Sequence, residues 1–277
     1  MLQMQGMERV KIVSRDNARL KLARKARDGQ TDDLIFVEGF RLAAEAASSR
    51  LEIEFCVISS DFGNDQREEN LLALLSDGGV EILETDERVF ASIAETRSPQ
   101  GIILICKRPA THRAKFQENI DLRQAEVGSI AMLHEVNNPS NLGAVLRTAE
   151  AAGVTGLIVS SGSTDVFSPK SLRASMGSAF RLPIWSDARL DEVIEFAKQE
   201  GYALAAVALN ARAEYTKIDW QKPRLLVFGS EAHGLPPRIL NKMEETVSIP
   251  MHAKVESLNL AVAAGVILFE ARRQNSI

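Results

Sequence analysis

One stretch, residues 225–273, constrains the fold of this chain more than any other. An apolar run, Leu225-Leu226-Val227-Phe228, reads as a short buried strand and stops at Gly229-Ser230-Glu231-Ala232-His233-Gly234-Leu235, ahead of Pro236-Pro237. A second run, Thr246-Val247-Ser248-Ile249-Pro250-Met251, leads through polar residues to Ser257-Leu258-Asn259 and then to a segment, 260–269, that is apolar on every side. Strands that twice end in Gly or Pro place loop backbone along one edge of a sheet, the edge at which open α/β sheets bind ligands. The Gly229-x4-Gly234 spacing suggests a phosphate cradle, but Leu235-Pro236 stands where that loop needs Lys and Ser or Thr. Glu231 would also repel phosphate, and suits a cationic or hydroxyl-bearing ligand better.

The rest of the chain alternates in the same way. Between residues 34 and 106, short apolar runs and amphipathic stretches give a small α/β unit of about four strands. Residues 107–127 turn polar and aperiodic, which marks a boundary: an N-terminal domain over 1–107, a linker over 108–126 and a second α/β domain over 127–277. In the second domain Asn137-Asn138-Pro139 is a helix start, with Asn138 as cap and Pro139 as first helical residue. Leu142, Val145, Leu146, Ala149 and Ala152 form the core stripe of that helix, and Gly143 and Arg147, four apart, lie together off it.

The 277 residues fit about two domains of ~100–200 residues each. Composition, 45% hydrophobic and 25% charged, is that of an ordinary globular protein. No apolar run approaches the ~20 residues of a membrane span, and the N-terminus lacks a signal-peptide core, so a cytoplasmic location without membrane attachment is expected. Cys56 and Cys106 sit in strand-like runs as buried small hydrophobes, and the four histidines show no metal-ligand spacing, so no metal is expected. The net charge of −4 argues against indiscriminate nucleic-acid binding. Charge is nevertheless uneven. Arg15, Arg19, Lys21 and Arg24 lie on a helix expected over 15–27, capped by Ser14 and stopped by Gly29, and Lys170 and Arg173 form a second basic cluster. Each is either a solvated face or a footprint for a phosphate backbone.

Three ordered motifs carry a resemblance. Asn141-x-Gly143-x3-Arg147, then Phe228-Gly229-Ser230-Glu231-x2-Gly234-Leu235, then Ile249-Pro250-Met251 with Ser257-Leu258-Asn259, resemble the motifs of the SpoU (TrmH-type) RNA ribose 2′-O-methyltransferases of the SPOUT superfamily. Arg173-Ala174-Ser175-Met176-Gly177 resembles a segment between the first two motifs. Phe36-Val37-Glu38-Gly39 and Ser98-Pro99-Gln100-Gly101 carry a weaker likeness to the family's small ribosomal-protein-like α/β substrate-binding domain. Pattern alone gives an ordinary doubly wound sheet, since knots are nearly absent from proteins. The resemblance instead implies a C-terminal SPOUT domain with a deep trefoil knot around a parallel sheet.

It further implies S-adenosylmethionine as cofactor, held between the two strand-end loops by the backbones of Gly229, Ile249 and Leu258, with Leu209 and Met251 lining the pocket. It implies an obligate homodimer through 260–269 and a ribosomal RNA substrate, with transfer RNA as the alternative. Arg147 would then be the leading catalytic residue, with Asn141, Glu231, Ser257 and Asn259 orienting it and the ribose, and Glu231 facing Arg147. Two other classes stay open here: a non-catalytic RNA-binding protein that retains the fold, and a dinucleotide-binding enzyme, which lacks Gly-x-Gly-x2-Gly after its first strand.

Overall fold

The computed structural model describes residues 9–122, 127–209, 211–252 and 256–275. Residues 1–8, where no signal-peptide core is expected, and 123–126 of the expected linker lie outside the described residues. The chain divides into two compact units, one of residues 1–109 and 167–180, the other of residues 110–166 and 181–277.

The first unit opens with β1 (Arg9–Ile12), α1 (Ala18–Arg27), β2 (Leu34–Glu38), α2 (Phe40–Ala47) and β3 (Ile53–Ser59), and continues with α3 (Gln66–Asp77), β4 (Glu81–Thr85), α4 (Glu87–Ile93) and β5 (Ile102–Lys107). The five strands order as β1-β4-β3-β5-β2. β1, β4 and β3 run parallel, and β5 is antiparallel to both β3 and β2. β1 was absent from the sequence reading because only one of its four residues, Ile12, is buried. The α1 cap is Asn17, whose side chain accepts from the Arg19 N–H, while the Ser14 hydroxyl accepts from the Asp16 N–H one turn earlier. Cys56 and Cys106 are fully buried, and burial pushes the Cys106 thiol up to about 12.

The second unit begins with α5 (Arg113–Asp121), β6 (Val127–Leu133), α6 (Pro139–Ala152) and β7 (Val154–Ser160). The chain then contributes α7 (Pro169–Ser175) to the first unit, where it packs on β2, and turns through α8 (Ser178–Arg181). It completes the second unit with β8 (Ile184–Ala188), α9 (Leu190–Gln199), β9 (Ala203–Val207), β10 (Ala213–Glu214), β11 (Arg224–Phe228), α10 (Pro237–Leu240), β12 (Glu245–Ser248) and α11 (Leu260–Asn275). The seven strands order as β10-β12-β9-β11-β6-β7-β8, and every described pairing is parallel. Such strands are buried on both faces, which is why 225–228 reads as an unbroken apolar run. Asn138 caps α6 through the Ser140 N–H, Pro139 is its first residue, and Gly153 ends it in the left-handed region at φ 78°.

Two sequence expectations need correction. The expected linker holds α5, whose charged surface hides its periodicity: Phe116 and Ile120, four apart, are its buried residues. Phe116 packs edge-on to Phe196 with ring centroids 5.9 Å apart and lies against Trp185 at 6.2 Å. The expected 127–277 domain also loses 167–180 to the first unit, a partition decided by tertiary packing of Leu172, Ser171 and Ser175, all fully buried. Phe116→Ala is expected to destabilise the second unit by about 3–5 kcal/mol and to lower its calorimetric unfolding temperature by roughly 6–20 °C. A change below about 1 °C would mean that α5 is no part of that core.

Candidate active site

β12, β9 and β11 are neighbours, so their C-terminal ends bring three loops to one edge of the sheet. There they surround a cleft of about 710 Å³. β9 contributes Val207, Ala208 and Leu209, β11 contributes 228–235, and the segment after β12 contributes Ile249, Met251 and 256–259, closed by Leu260 and Ala263 of α11. The resemblance implies a cofactor held between the loops that follow β11 and β12. The strand β9 lies between β11 and β12 and adds its own loop, a long-range pairing no local pattern announces. Its Val207 and Ala208 were missed for that reason, while Leu209, 65% exposed, was anticipated from the resemblance alone.

The β11 loop is built on close backbone approach. The Gly234 N–H donates to the Ser230 carbonyl at 2.9 Å, and the His233 N–H donates to the Ser230 hydroxyl at 3.3 Å. A Cβ on Gly229 would lie 2.3 Å from the Gly234 carbonyl carbon and 2.6 Å from the Leu235 nitrogen, so only glycine fits. Gly234 has φ 62° and ends the loop.

One side-chain network crosses it. The Asn141 carboxamide, in the first turns of α6, donates from Nδ2 to Glu231 Oε1 at 2.9 Å and accepts at Oδ1 from Asn259 Nδ2 at 3.1 Å. Asn259 also accepts from the Ala261 N–H at 2.9 Å and so starts α11. Residues from all three sequence motifs therefore meet at the cleft, where Gly229, Ile249, Met251, Ser257 and Leu258 also lie.

Arg147 does not line the cleft. It lies six residues beyond Asn141, about 240° around the helix and ~9 Å along it. It is exposed and has no partner among the described residues. Within one chain Glu231 meets Asn141 rather than Arg147. The His134 imidazole at the end of β6 is buried, with neither ring nitrogen hydrogen-bonded among the described residues and Nε2 3.7 Å from Glu135 Oε1. Desolvation lowers its pKa below the ordinary value, with Arg238 acting in the same direction and Glu135 against it.

The basic residues of the first unit are less free than their sequence suggests. Arg15 donates to the Arg88 carbonyl, Arg24 to the Arg15 carbonyl at 2.5 Å, Arg19 pairs with Glu81 at 2.9 Å, and Lys21 pairs with Asp16 at 3.1 Å. Arg173 pairs with Glu95 at 2.5 Å, whereas Lys170 is exposed without a partner among the described residues. Among the described residues no group of His, Cys, Asp or Glu could hold a metal, and no helix is long and apolar enough to cross a membrane.

Known proteins share this arrangement. Residues 128–269 match the SpoU rRNA Methylase family, and residues 17–104 match the MRM3-like substrate binding domain. An uncharacterised tRNA/rRNA methyltransferase of Synechocystis is 37% identical over 67% of this chain; the match spans 65% of that protein's length. The 23S rRNA (guanosine-2′-O-)-methyltransferase RlmB of Pseudomonas syringae is 31% identical over 77% of this chain and 85% of its own. The crystal structure of an AdoMet-bound rRNA methyltransferase from Sinorhizobium meliloti superposes with a TM-score of 0.80 at 30% identity, covering 96% of this chain and 98% of that one. The three motifs that meet at the cleft, the parallel sheet behind them and these matches lead to one conclusion: the chain belongs to the SpoU rRNA methylase family.

Proposed function

We propose that this protein methylates a ribose 2′-hydroxyl in ribosomal RNA with S-adenosylmethionine as methyl donor. The observation that carries this reading is the cleft at the ends of β9, β11 and β12, with Asn141 bridging Glu231 and Asn259 across it. The fit to the cofactor rests on the β11 loop, which folds back on itself so closely at Gly229 that only glycine allows its main chain to line the cleft. Main chain at Gly229, Ile249 and Leu258 would hold its adenosyl and methionine parts, and Leu209 and Met251 would supply apolar surface. When bound, the cofactor provides an electrophilic methyl group on a sulfonium.

The residues of the chain then have separable tasks. Glu231, fixed by Asn141, sets a negative charge in a cleft suited to a cationic ligand. Ser257 and Asn259, exposed at its rim, orient the ribose by hydrogen bonds. A guanidinium such as that of Arg147 is a poor base. Arg147 grips the phosphate beside the target ribose and stabilises negative charge growing on the 2′ oxygen. Its exposure away from its own cleft supports a homodimer in which it serves the partner's cleft. The α11 surface supports the same assembly, since Val262 (51% exposed) and Phe269 (47% exposed) leave apolar area uncovered. The knot expected from the resemblance belongs to this reading too. β12 pairs with β9 on one side of β11, whereas α11 packs on α6, which follows the strand on its other side. The relatives' names favour ribosomal over transfer RNA as the substrate.

The test is transfer of labelled methyl from S-adenosylmethionine to deproteinised ribosomal RNA. Asn141→Ala, which removes one hydrogen bond to a carboxylate and one to Asn259, is expected to lower kcat/KM at least about tenfold. Unchanged kcat/KM would detach the network from the chemistry.

A further inference from the structure

The first unit contains a feature that the cleft does not explain: a buried carboxylate spent on an exposed loop. Glu38, at the end of β2, is only 4% exposed. Its Oε2 accepts from the Glu95 N–H at 2.8 Å, its Oε1 accepts from the Thr96 N–H at 3.2 Å, and the Thr96 hydroxyl donates to Oε1 as well. Below, the Arg27 guanidinium donates to the carbonyls of Ser92, Ile93 and Ala94 at 3.3–3.4 Å, within electrostatic reach of Glu38 and Glu95. Above, the Glu95 side chain pairs with Arg173 of α7. Arg27, Glu38, Glu95 and Arg173 thus hold the start of loop 95–101 from three elements.

The far end of the loop is held as tightly. Gln100 Oε1 accepts from the Phe40 N–H at 2.9 Å, and the Gly101 carbonyl accepts from the Ser59 N–H at 2.9 Å. Gly39 and Gly101 adopt φ 101° and 76°, and a Cβ on Gly101 would lie 2.6 Å from the Ser59 hydroxyl. Burying a charge is costly unless it is fully hydrogen-bonded, and a surface loop needs no such support merely to connect α4 to β5. Rigid support of an irregular exposed loop is what a binding element requires.

What the loop displays indicates the ligand. Arg97 and Ser98 are exposed and without partners among the described residues. Gln100, committed through its oxygen, leaves its amide N–H groups free among the described residues. Exposed Arg41 follows directly on the amide that Gln100 holds. The exposed carboxylate of Glu95 is neutralised by Arg173. The loop therefore offers a cation and several donors, a set matched to phosphate and to the acceptor edges of unpaired bases.

We infer that loop 95–101, set by Glu38, is a preformed contact for a single-stranded segment of the RNA substrate, with Arg97 on a phosphate and Gln100 and Ser98 as hydrogen-bond partners beside it. This rests on the RNA-methylation reading above. It differs from a footprint on α1, whose arginines are engaged within the unit.

The test uses the full chain and deproteinised bacterial large-subunit ribosomal RNA, with affinity measured by filter binding across a salt series. Arg97→Ala, an exposed change with no contact to lose, is expected to weaken RNA binding roughly tenfold, the size of one charge-assisted contact. It should also flatten the log–log salt slope by about one ion, with S-adenosylmethionine affinity unchanged. Glu38→Gln, which places an amide donor among the three donors of the loop, should weaken RNA binding through the loop, and adding Arg97→Ala to it should cost less than Arg97→Ala costs alone. Equal RNA affinity and equal salt slope for Arg97→Ala and wild type would overturn the inference even where wild type transfers methyl normally. Absence of methyl transfer by wild type would overturn the function instead, so the two failures are distinguishable.

Discussion

Arg147→Ala is expected to lower kcat for methyl transfer by about 10²–10³-fold, the range for losing one preorganised group at developing negative charge. Cofactor affinity should change far less, because Arg147 does not line the cleft of its own chain and is assigned to the RNA phosphate and the growing charge rather than to the cofactor. That combination, lost turnover with retained binding, separates Arg147 from the residues that shape the cleft. The homodimer gives the experiment a second readout. If Arg147 serves the partner's cleft, a mixed dimer of Arg147→Ala with a chain whose cleft is blocked keeps one working site: the intact cleft of the first chain and the intact arginine of the second. If each arginine serves its own cleft, the mixed dimer is as inactive as either parent. Activity recovered on mixing would establish service across the interface, and no recovery would exclude it.

The cleft-blocking variant is Gly229→Ala, the second large effect. The added Cβ would sit 2.3 Å, 2.5 Å and 2.6 Å from the Gly234 carbonyl carbon and oxygen and the Leu235 nitrogen. All three are backbone atoms, so no side-chain rotation relieves the clash and the loop itself must move. Overpacking of this kind costs about 1–3 kcal/mol. The clash is present with or without cofactor and so lowers stability, and because the loop that lines the cleft has to move, S-adenosylmethionine binding is expected to weaken by on the order of tenfold. Titration calorimetry reads the shift directly. Unchanged affinity would place the cofactor somewhere other than this cleft.

How much of this was legible in the residues depended on range. The α6 start was legible because caps are local: Asn138 and Pro139 act on backbone groups one or two residues away. The β11 run was legible because a strand buried on both faces is apolar throughout. The α5 helix was not, since two buried residues in nine leave its pattern dominated by charge. The transfer of α7 to the first unit was equally hidden, because it depends on burying Leu172 and Ser171 and on Arg173 pairing with Glu95, far away in sequence. At the cleft, the resemblance assembled the correct residues from three motifs, but the partner of Glu231 followed from helix geometry. Asn141 and Arg147 share one helix and point apart, so a carboxylate that meets the first cannot meet the second in the same chain. The supported loop at 95–101 was legible only as a weak likeness around Gln100 and Gly101. Its buried partner, Glu38, belongs to the other segment of that likeness, Phe36-Val37-Glu38-Gly39, but no local pattern shows the hydrogen bonds that join the two.

The central claim is that the methyl group goes to a ribose 2′ oxygen of ribosomal RNA. Alkaline cleavage of RNA requires a free 2′-hydroxyl, so a methylated position survives as an alkali-resistant dinucleotide. The most direct measurement is to incubate the protein and labelled S-adenosylmethionine with deproteinised large-subunit ribosomal RNA, hydrolyse with alkali and locate the label. The account predicts label in a resistant dinucleotide from one position, absent with Arg147→Ala. Label released in mononucleotides would mean methylation of a base, and would contradict it.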